Sequence, residues 1–524
     1  MRGWYAVCVF LVACGVNDPA PDESVDGDDK ADSFDSSAAK KRETAVSAKF
    51  AAAVNNPQAL ATLVGKLPKG GDLHMHLSGA AATESLLRTG QHDHDCVTAK
   101  FVAAAGSLCT AATTPLSNAS PGSTLWTQIV GNWSMEGFQT AALADRHTHF
   151  FDAFGKFGLI SRVHTADMLA DVRRTAAREN ISYLEVMISL GSGTGGDLGE
   201  TYITTGSPWT AATFATARKA ILADARIATT ISRTRSDLDS WERAEDTALG
   251  CGTAGAEPAC DVTVRYLVQG TRIASRESVF GQFVYGFALV GADSRVVGVN
   301  LVQAEDDSKA LANYHDQMVG VGWLVSDAKT RGAPVPVSLH AGELATGFGH
   351  ASDLKFHVRE AVEIGGASRI GHAVDLLGED DADALLSTMA ANHVAVEACL
   401  TSNQQLLGVE GASHPAKALM KHYVPVAFAT DDEGILRTDM NAEIVRAFTK
   451  QALTYRDVKR AIRASLTYSF LPGTRLRDLS ACKKSLIAEQ VDAGCMKAMM
   501  TSERASAEWQ LEADLDAFEQ SILN

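Results

Sequence analysis

Two histidines separated by one residue occur at positions 74 and 76, within the stretch GDLHMHLSG at residues 71–79. The stretch begins polar, alternates for five residues and ends at a glycine, which predicts a short buried strand followed by a turn. Side chains alternate along a strand, so His74 and His76 are expected on the same face. Two imidazoles on one face can bind a metal ion such as zinc from one side. They do not complete a zinc site, so the rest of the chain must supply further ligands.

The apolar pattern of the chain predicts the fold that would position these residues. Short apolar runs alternate with helical patterns, which is typical of parallel βαβ units, and eight such units predict a closed (β/α)8 barrel of the TIM type, an α/β fold. The strands are predicted at the histidine stretch and at residues 183–188, 262–269, 296–302, 335–340, 368–373, 394–398 and 424–430. Helical additions are predicted at 38–66, 137–176, 209–247, 306–330, 353–365 and 379–392. Residues 90–135 are rich in turn residues and predict a cysteine-bearing excursion after strand 1.

Polar residues stand at the ends of four of these predicted strands, where the active sites of such barrels lie. The four segments are LHMH at 73–76, SLHAGE at 338–343, RIGHAVD at 369–375 and AFATDDEG at 427–434. A lone histidine is more often a structural residue than a ligand, and an Asp-Asp pair after a strand is often a helix cap. Their placement on four strand ends of one barrel favours a common site.

Taken together, His-x-His-Leu-x-Gly, His-Ala-Gly-Glu, Arg-Ile-Gly-His and Thr-Asp-Asp, in this order, resemble the adenosine deaminase family of the amidohydrolase superfamily. The segments VEACLTSN at 396–403 and VGVNLVQAED at 297–306 are similar to the family's seventh-strand and fourth-strand segments. The resemblance spans about residues 65–470. The cysteine-bearing excursion and the extra length resemble the secreted, growth-factor-like branch of the family.

The resemblance implies one catalytic zinc ion per chain. Its protein ligands would be His74, His76, His340 and Asp431. Three imidazoles and a carboxylate suit zinc, and a water at the open position would have its pKa lowered from 15.7 to about 7.

The resemblance also implies roles around the substrate. His372 would orient the water and take its proton with the help of Asp431, and Glu343 would protonate N1 of the purine. Asp432 would hydrogen-bond N7, which requires a protonated carboxyl because N7 only accepts. Gly342 would allow the Glu343 turn to pack beneath the base.

The substrate-binding residues would also include His76, Ser78 and Gln303, and here the chain departs from the family pattern. Ser78 stands where an acidic residue is expected near the ribose 5′-hydroxyl, and Gln303 stands where glycine is common near purine N3. Leu400 and Glu433 replace two expected prolines. These departures leave the metal ligands intact and bear on substrate choice.

The implied function is zinc-dependent hydrolytic deamination of adenosine or 2′-deoxyadenosine, with a small-molecule purine nucleoside as partner. The alternatives are deamination of another 6-aminopurine (a modified nucleoside, nucleotide or base) and a surface lipoprotein that binds nucleosides without turnover. The chain is 46% hydrophobic with a mean hydropathy of −0.02, as in globular proteins with a large core. Its net charge of −16 argues against nucleic acid as a partner. The oligomeric state is left open.

The first 14 residues resemble a signal peptide with a lipobox. Arg2 is followed by a short apolar run and by Cys14 in the sequence LVACG. We expect an exported bacterial protein, periplasmic or at the cell surface, that meets the membrane only through a lipid on Cys14; secretion after ordinary cleavage is the alternative. Residues 15–36 predict a disordered acidic tether, and residues 37–524 predict a single barrel domain.

Cysteine spacing agrees with export. Six cysteines form near-neighbour pairs, namely Cys96 with Cys109, Cys251 with Cys260 and Cys482 with Cys495. Pairs that close short loops suit disulfides in an oxidising compartment, with free buried thiols as the alternative. Cys399 has no near partner and is expected to be a buried thiol.

Overall fold

The structure is a computed structural model and describes residues 36–524. The predicted signal peptide, the lipid site at Cys14 and the tether up to residue 35 lie outside the described residues. In chain order the strands are β1 Gly70–His76, β2 Cys96–Val97, β3 Ala103–Ala104, β4 Thr114–Pro115, β5 Ile181–Ile188, β6 Thr263–Thr271, β7 Val296–Val302, β8 Ser338–Ala341, β9 Arg369–His372, β10 Ala395–Ala398 and β11 Val426–Phe428.

The α-helices divide into those before and after β7. Before it they are α1 Ser37–Ala53, α2 Pro57–Lys66, α3 Leu77–Ala80, α4 Thr83–His92, α5 Thr124–Trp133, α6 Leu143–Val163, α7 Thr165–Arg178, α8 Ser192–Tyr202, α9 Ala211–Ala223, α10 Ala225–Leu249 and α11 Arg276–Val290. After it they are α12 Ser308–Thr330, α13 His357–Glu363, α14 Ala382–Ala391, α15 Leu400–Leu407, α16 Ala416–Lys421, α17 Glu433–Leu436, α18 Met440–Thr449, α19 Tyr455–Thr467, α20 Lys483–Ala488, α21 Ala493–Met499 and α22 Glu503–Leu523.

Two parallel four-stranded sheets build the barrel. The first has the strand order β1-β5-β6-β7 and the second the order β8-β9-β10-β11. Single parallel bridges join them, Val299 with Val337 between β7 and β8 and Met75 with Asp431 beyond β11. At the second junction the Asp431 N–H donates to the carbonyl oxygen of His74 at 2.9 Å. The predicted (β/α)8 barrel is therefore confirmed, and each predicted strand is present.

One predicted helix is two helices. Residues 38–66 have helical spacing throughout, but in the structure α1 ends at Ala53 and α2 begins at Pro57. The side chain of Asn56 caps α2 by accepting from the Ala59 N–H at 3.1 Å. Proline lacks the N–H that a continuous helix would need and suits the first turn, so Asn-Pro favours a new start at this point.

The excursion after β1 contains a small antiparallel sheet of β2, β3 and β4, and β2 begins at one of the paired cysteines. All three proposed disulfides are present: Cys96–Cys109, Cys251–Cys260 and Cys482–Cys495. Cys399 is free and buried, as predicted.

The largest hydrophobic cluster extends from Val46 in α1 to Phe518 in α22. A hydrophobic cluster that continues over this length supports the prediction of a single domain at residues 37–524. The domain boundaries themselves stay a prediction. Among residues 36–524, no helix combines the length and the apolar character needed to cross a membrane.

Candidate metal centre and active site

The four predicted metal ligands converge at one mouth of the barrel. Asp431 Oδ1 lies 3.5 Å from His74 Nε2 and 3.4 Å from His76 Nε2, and His76 Nε2 lies 3.2 Å from His340 Nε2. Ligand atoms within 4.8 Å of one another also form a group that contains His74, His340 and Asp431 together with His372. The geometry therefore brings the predicted ligands together and adds His372 beside them.

Oxygen acceptors fix the orientation of three of these rings. Nδ1 lies 2.7 Å from Glu397 Oε2 in His74, 2.8 Å from Gln269 Oε1 in His76 and 2.7 Å from Asn300 Oδ1 in His340. An Nδ1–H that donates to oxygen leaves the Nε2 lone pair of a neutral ring free, and in all three rings Nε2 faces the cluster.

The electrostatics of the cluster suit a cation. Burial lowers the pKa of His74, but Asp431 and Glu397 outweigh burial and raise the pKa to about 10. The position of His74 Nε2 therefore favours a positive charge, either a proton or a metal ion that replaces the proton on the neutral ring. His74 Nε2 is buried and has no hydrogen-bond partner among the described residues. The cluster offers three imidazole nitrogens and one carboxylate. This is a donor set that zinc prefers, so the residues present fit this metal.

Burial favours the protonated form of two further carboxyl groups. Burial and the nearby charge of Asp431 raise the pKa of Glu343 well above its usual range. The same two causes raise the pKa of Asp432, whose Oδ1 is buried without a partner among the described residues. A protonated carboxyl can donate a hydrogen bond, which is what the roles predicted for Glu343 and Asp432 require.

A buried carboxylate holds the turn that carries Glu343. The side chain of Glu305 accepts from the Gly342 N–H at 3.1 Å and from the Glu343 N–H at 2.8 Å. Arg272 lies 3.3 Å from Glu305 and supplies the opposite charge. Gly342 has a φ of +71°, and a Cβ at this position would lie 2.3 Å from Asp375 Oδ1. The turn therefore needs glycine at this position, and the packing of the turn beneath a purine base stays a prediction.

Backbone strain is concentrated at the site. Gln303, His372 and Asp431 have φ values of 83°, 70° and 62°, in the left-handed region that non-glycine residues rarely adopt. Gln303 and Asp431 follow barrel strands, and His372 is the last residue of β9. Such conformations cost of order 1–3 kcal/mol each and cluster at functional sites.

A cavity of about 410 Å³ opens beside the cluster. Its polar lining contains most of the predicted site residues, namely His76, Ser78, Gln303, His340, Glu343, His372, Asp431 and Asp432. Phe150, Phe151 and Phe154 of α6 form an aromatic wall. A second cavity of about 630 Å³ shares Ser78, Phe154, Gln269 and Gln303 with the first, so the two adjoin at the residues that depart from the family pattern.

Sequence reasoning assigned no role to the residues that orient the ligands. They are polar residues within buried strands: Asp72, Gln269, Asn300 and Glu397. Glu397 accepts from His74, from Ser338 Oγ at 2.9 Å and from Arg369 Nε at 2.5 Å. Asp72 accepts from Thr430 N–H at 3.1 Å, which anchors the segment before Asp431. A charged residue in an otherwise apolar strand is the signal that could have identified them.

Residues 229–483 match the family model described as "Adenosine deaminase". This region contains His340, Glu343, His372 and the Asp431-Asp432 pair, and His74 and His76 precede it. The adenosine deaminase of Escherichia coli strain SE11 is 31% identical over 202 residues, which cover 36% of this chain and 57% of the relative. That of Escherichia coli O139:H28 strain E24377A matches to the same extent. The chain thus spans less than two thirds of the length of these curated relatives.

Solved structures of deaminases are similar over more of the chain. The adenine deaminase of Arthrobacter aurescens is 16% identical and covers 80% of this chain and 98% of its own, with a TM-score of 0.48. The N6-mAMP deaminase of Arabidopsis is 18% identical and covers 81% and 97%, with a TM-score of 0.46. Over the matched residues the chain is therefore similar to adenosine deaminases, both in the family model and in the curated relatives.

Proposed function

We propose that this protein is a zinc-dependent hydrolase that deaminates adenosine or 2′-deoxyadenosine to the inosine form and ammonia. The observation that carries the proposal is that a cluster of candidate metal ligands lies beside a buried carboxyl whose pKa is raised by burial. The cluster is formed by the side chains of His74, His76, His340 and Asp431, and the carboxyl is that of Glu343.

The residues divide the chemistry as follows. A zinc ion held by His74, His76, His340 and Asp431 would supply the Lewis acidity that lets water lose a proton near neutral pH and so attack C6 of the purine. Glu343 donates its proton to N1, which makes C6 more electrophilic, and protonated Asp432 donates to N7. His372 and Asp431 orient the water, and the proton that the water loses passes to this pair and then to the 6-amino group. Ammonia leaves from C6, and Glu343 recovers a proton from the C6 hydroxyl. The aromatic wall of α6 excludes bulk water from the base.

The second cavity favours an alternative substrate within the same reaction. It begins at Ser78 and Gln303 and offers space beyond the first cavity. A 6-aminopurine nucleoside with an additional group, such as a nucleotide, would extend into it. A binder without turnover would have no need of the protonated Glu343, which speaks against the non-catalytic reading.

The test is ammonia release from a panel of 6-aminopurine nucleosides, nucleotides and bases, with and without a chelator. We expect turnover of adenosine or 2′-deoxyadenosine that the chelator abolishes and zinc restores. Asp431→Ala should lose both zinc and activity, whereas Glu343→Gln should keep zinc and lose about 10²–10⁴-fold in kcat. Bound zinc without ammonia from any purine would favour the binder, and full turnover by Glu343→Gln would contradict the role of Glu343.

We further propose that the protein belongs to the secreted, growth-factor-like branch and is an exported lipoprotein anchored at Cys14. The three disulfides support an oxidising compartment. Mass spectrometry of the mature N-terminus should find a lipidated Cys14, and Cys14→Ala should release the protein from the membrane fraction. An unmodified N-terminus elsewhere would instead indicate ordinary cleavage.

A further inference from the structure

The two ring nitrogens of His372 have different surroundings. Nε2 is buried without a hydrogen-bond partner among the described residues and lies 3.7 Å from Glu343 Oε1. Nδ1 lies 3.0 Å from the side-chain nitrogen Nδ2 of Asn403. An amide nitrogen can only donate, so Nδ1 of His372 must accept. The proton of the neutral His372 ring is then on Nε2, which faces the site.

The orientation of the Asn403 amide is itself determined by a backbone group. The Ala416 N–H donates to His414 Nδ1 at 3.2 Å, and a backbone N–H can only donate. His414 Nδ1 therefore carries the lone pair, and Nε2–H donates to Asn403 Oδ1 at 3.0 Å. Burial lowers the pKa of His414 to about 4, which agrees with a neutral ring. With its oxygen turned to His414, Asn403 can present only its NH2 group to His372.

The partner atoms divide the four histidines of the site into two kinds. His74, His76 and His340 each have an oxygen at Nδ1, which leaves the Nε2 lone pairs free for a cation. His372 has a donor at Nδ1, so its Nε2 bears hydrogen and is unsuited to bind a metal. We call the chain of hydrogen bonds from Ala416 through His414 and Asn403 to His372 the relay. It explains how His372 can lie beside three candidate ligands without being a ligand itself.

We propose that Asn403 and His414 are positioning residues that keep the proton of His372 on Nε2, so that His372 donates a hydrogen bond to the attacking water. This inference rests on the proposed function. A neutral ring that already carries hydrogen on Nε2 cannot accept a second proton there. His372 therefore orients the oxygen of the water, and the proton that the water loses falls to Asp431, the other member of the pair.

The decisive measurement is ¹⁵N NMR of the zinc-loaded protein with labelled histidine rings. His372→Gln identifies the signals of His372 by their loss. We expect the spectrum of the wild type to show that Nδ1 of His372 is unprotonated and that Nε2 carries the proton. If Nδ1 of His372 is protonated in the wild type, that result alone overturns the proposal, and no variant of Asn403 is needed. The spectrum is also readable if no purine is deaminated, so failure of the relay and failure of the proposed function are distinguishable.

Asn403→Asp tests the relay by a nearly isosteric change. Its carboxylate would accept from His414 and from His372 Nδ1, which moves the His372 proton to Nδ1. We expect the ring signals to exchange character and kcat to fall about 10- to 100-fold, with KM changed far less. His414→Leu removes the donor to Asn403 Oδ1 and should lower kcat, and His414→Gln, which can still donate, should recover part of the loss. Unchanged signals and kcat in Asn403→Asp would refute the relay.

Discussion

Replacing Glu397 by glutamine should weaken zinc binding through His74. Glu397 is fully buried, and its carboxylate accepts from His74 Nδ1, Ser338 Oγ and Arg369 Nε. Burial raises the pKa of Glu397, but Arg369 and His74 outweigh it and lower the pKa to about 2, so the group is an anion. Glutamine keeps one acceptor oxygen and turns an NH2 group toward a neighbouring donor.

The magnitude follows from these contacts. Removing one partner of a buried ion pair costs about 3–5 kcal/mol of folding free energy. Loss of the group that orients a ligating histidine typically costs about 10- to 100-fold in metal affinity. We therefore expect Glu397→Gln to unfold at a lower temperature and to bind zinc about 10- to 100-fold more weakly. Competition with a chromophoric chelator measures the zinc Kd, and thermal unfolding measures the stability.

Glu185→Gln is the matched control. Glu185 is also fully buried and contacts the other side of the same guanidinium, with Oε2 at 2.5 Å from Arg369 Nη2. It accepts from Tyr183 and from a backbone N–H, and within residues 36–524 no hydrogen bond or ion pair joins it to a histidine. The control should lose comparable stability and keep nearly all of its zinc affinity. Equal losses of zinc affinity in the two variants, or none in Glu397→Gln, would refute the orientation of His74 by Glu397.

Three other predictions concern the substrate site and the disulfides. In Gly79→Ala the new Cβ would lie 1.7 Å from Asp432 Oδ1, so kcat/KM should fall while zinc content is kept; unaltered kinetics would show that Asp432 is not needed in its present position. Burial and the charge of Asp431 raise the pKa of Glu343, so its proton is present below that pKa and is lost as the pH rises through it. We therefore expect kcat/KM to decline on the alkaline side of its pH profile. A continued rise of kcat/KM with pH would contradict a protonated Glu343. Removing the Cys251–Cys260 disulfide by double serine substitution should lower the free energy of unfolding by about 2–4 kcal/mol in urea titrations and leave kcat unchanged. An altered kcat would mean that the loop closed by this disulfide acts on the site.

The barrel and the ligand cluster could be predicted because both depend on local patterns. Apolar runs of strand length mark the strands, and barrel geometry places reactive residues at or just beyond the strand ends, as with His340 within β8 and Asp431 after β11. The helix break at Pro57 was present in the sequence too, although the apolar spacing of the two helices concealed it.

The orienting contacts could not be predicted, because they join distant parts of the chain. His74 and Glu397 are 323 positions apart, and their contact depends on the register of strands from different sheets. The relay through Asn403 is still less visible, because it depends on which way an amide is turned. That direction is set by a single backbone N–H, at Ala416.

The two-sheet construction of the barrel has a consequence for folding kinetics. Each sheet comes from one continuous part of the chain, β1 to β7 in the first and β8 to β11 in the second, so each can gather its strands before the other. The candidate ligands are shared between them, since His74 and His76 belong to the first sheet while His340 belongs to the second. A complete set of ligands exists only after the two halves have met. The rate of zinc binding during refolding would therefore report the rate at which the two sheets join, separately from the earlier formation of secondary structure.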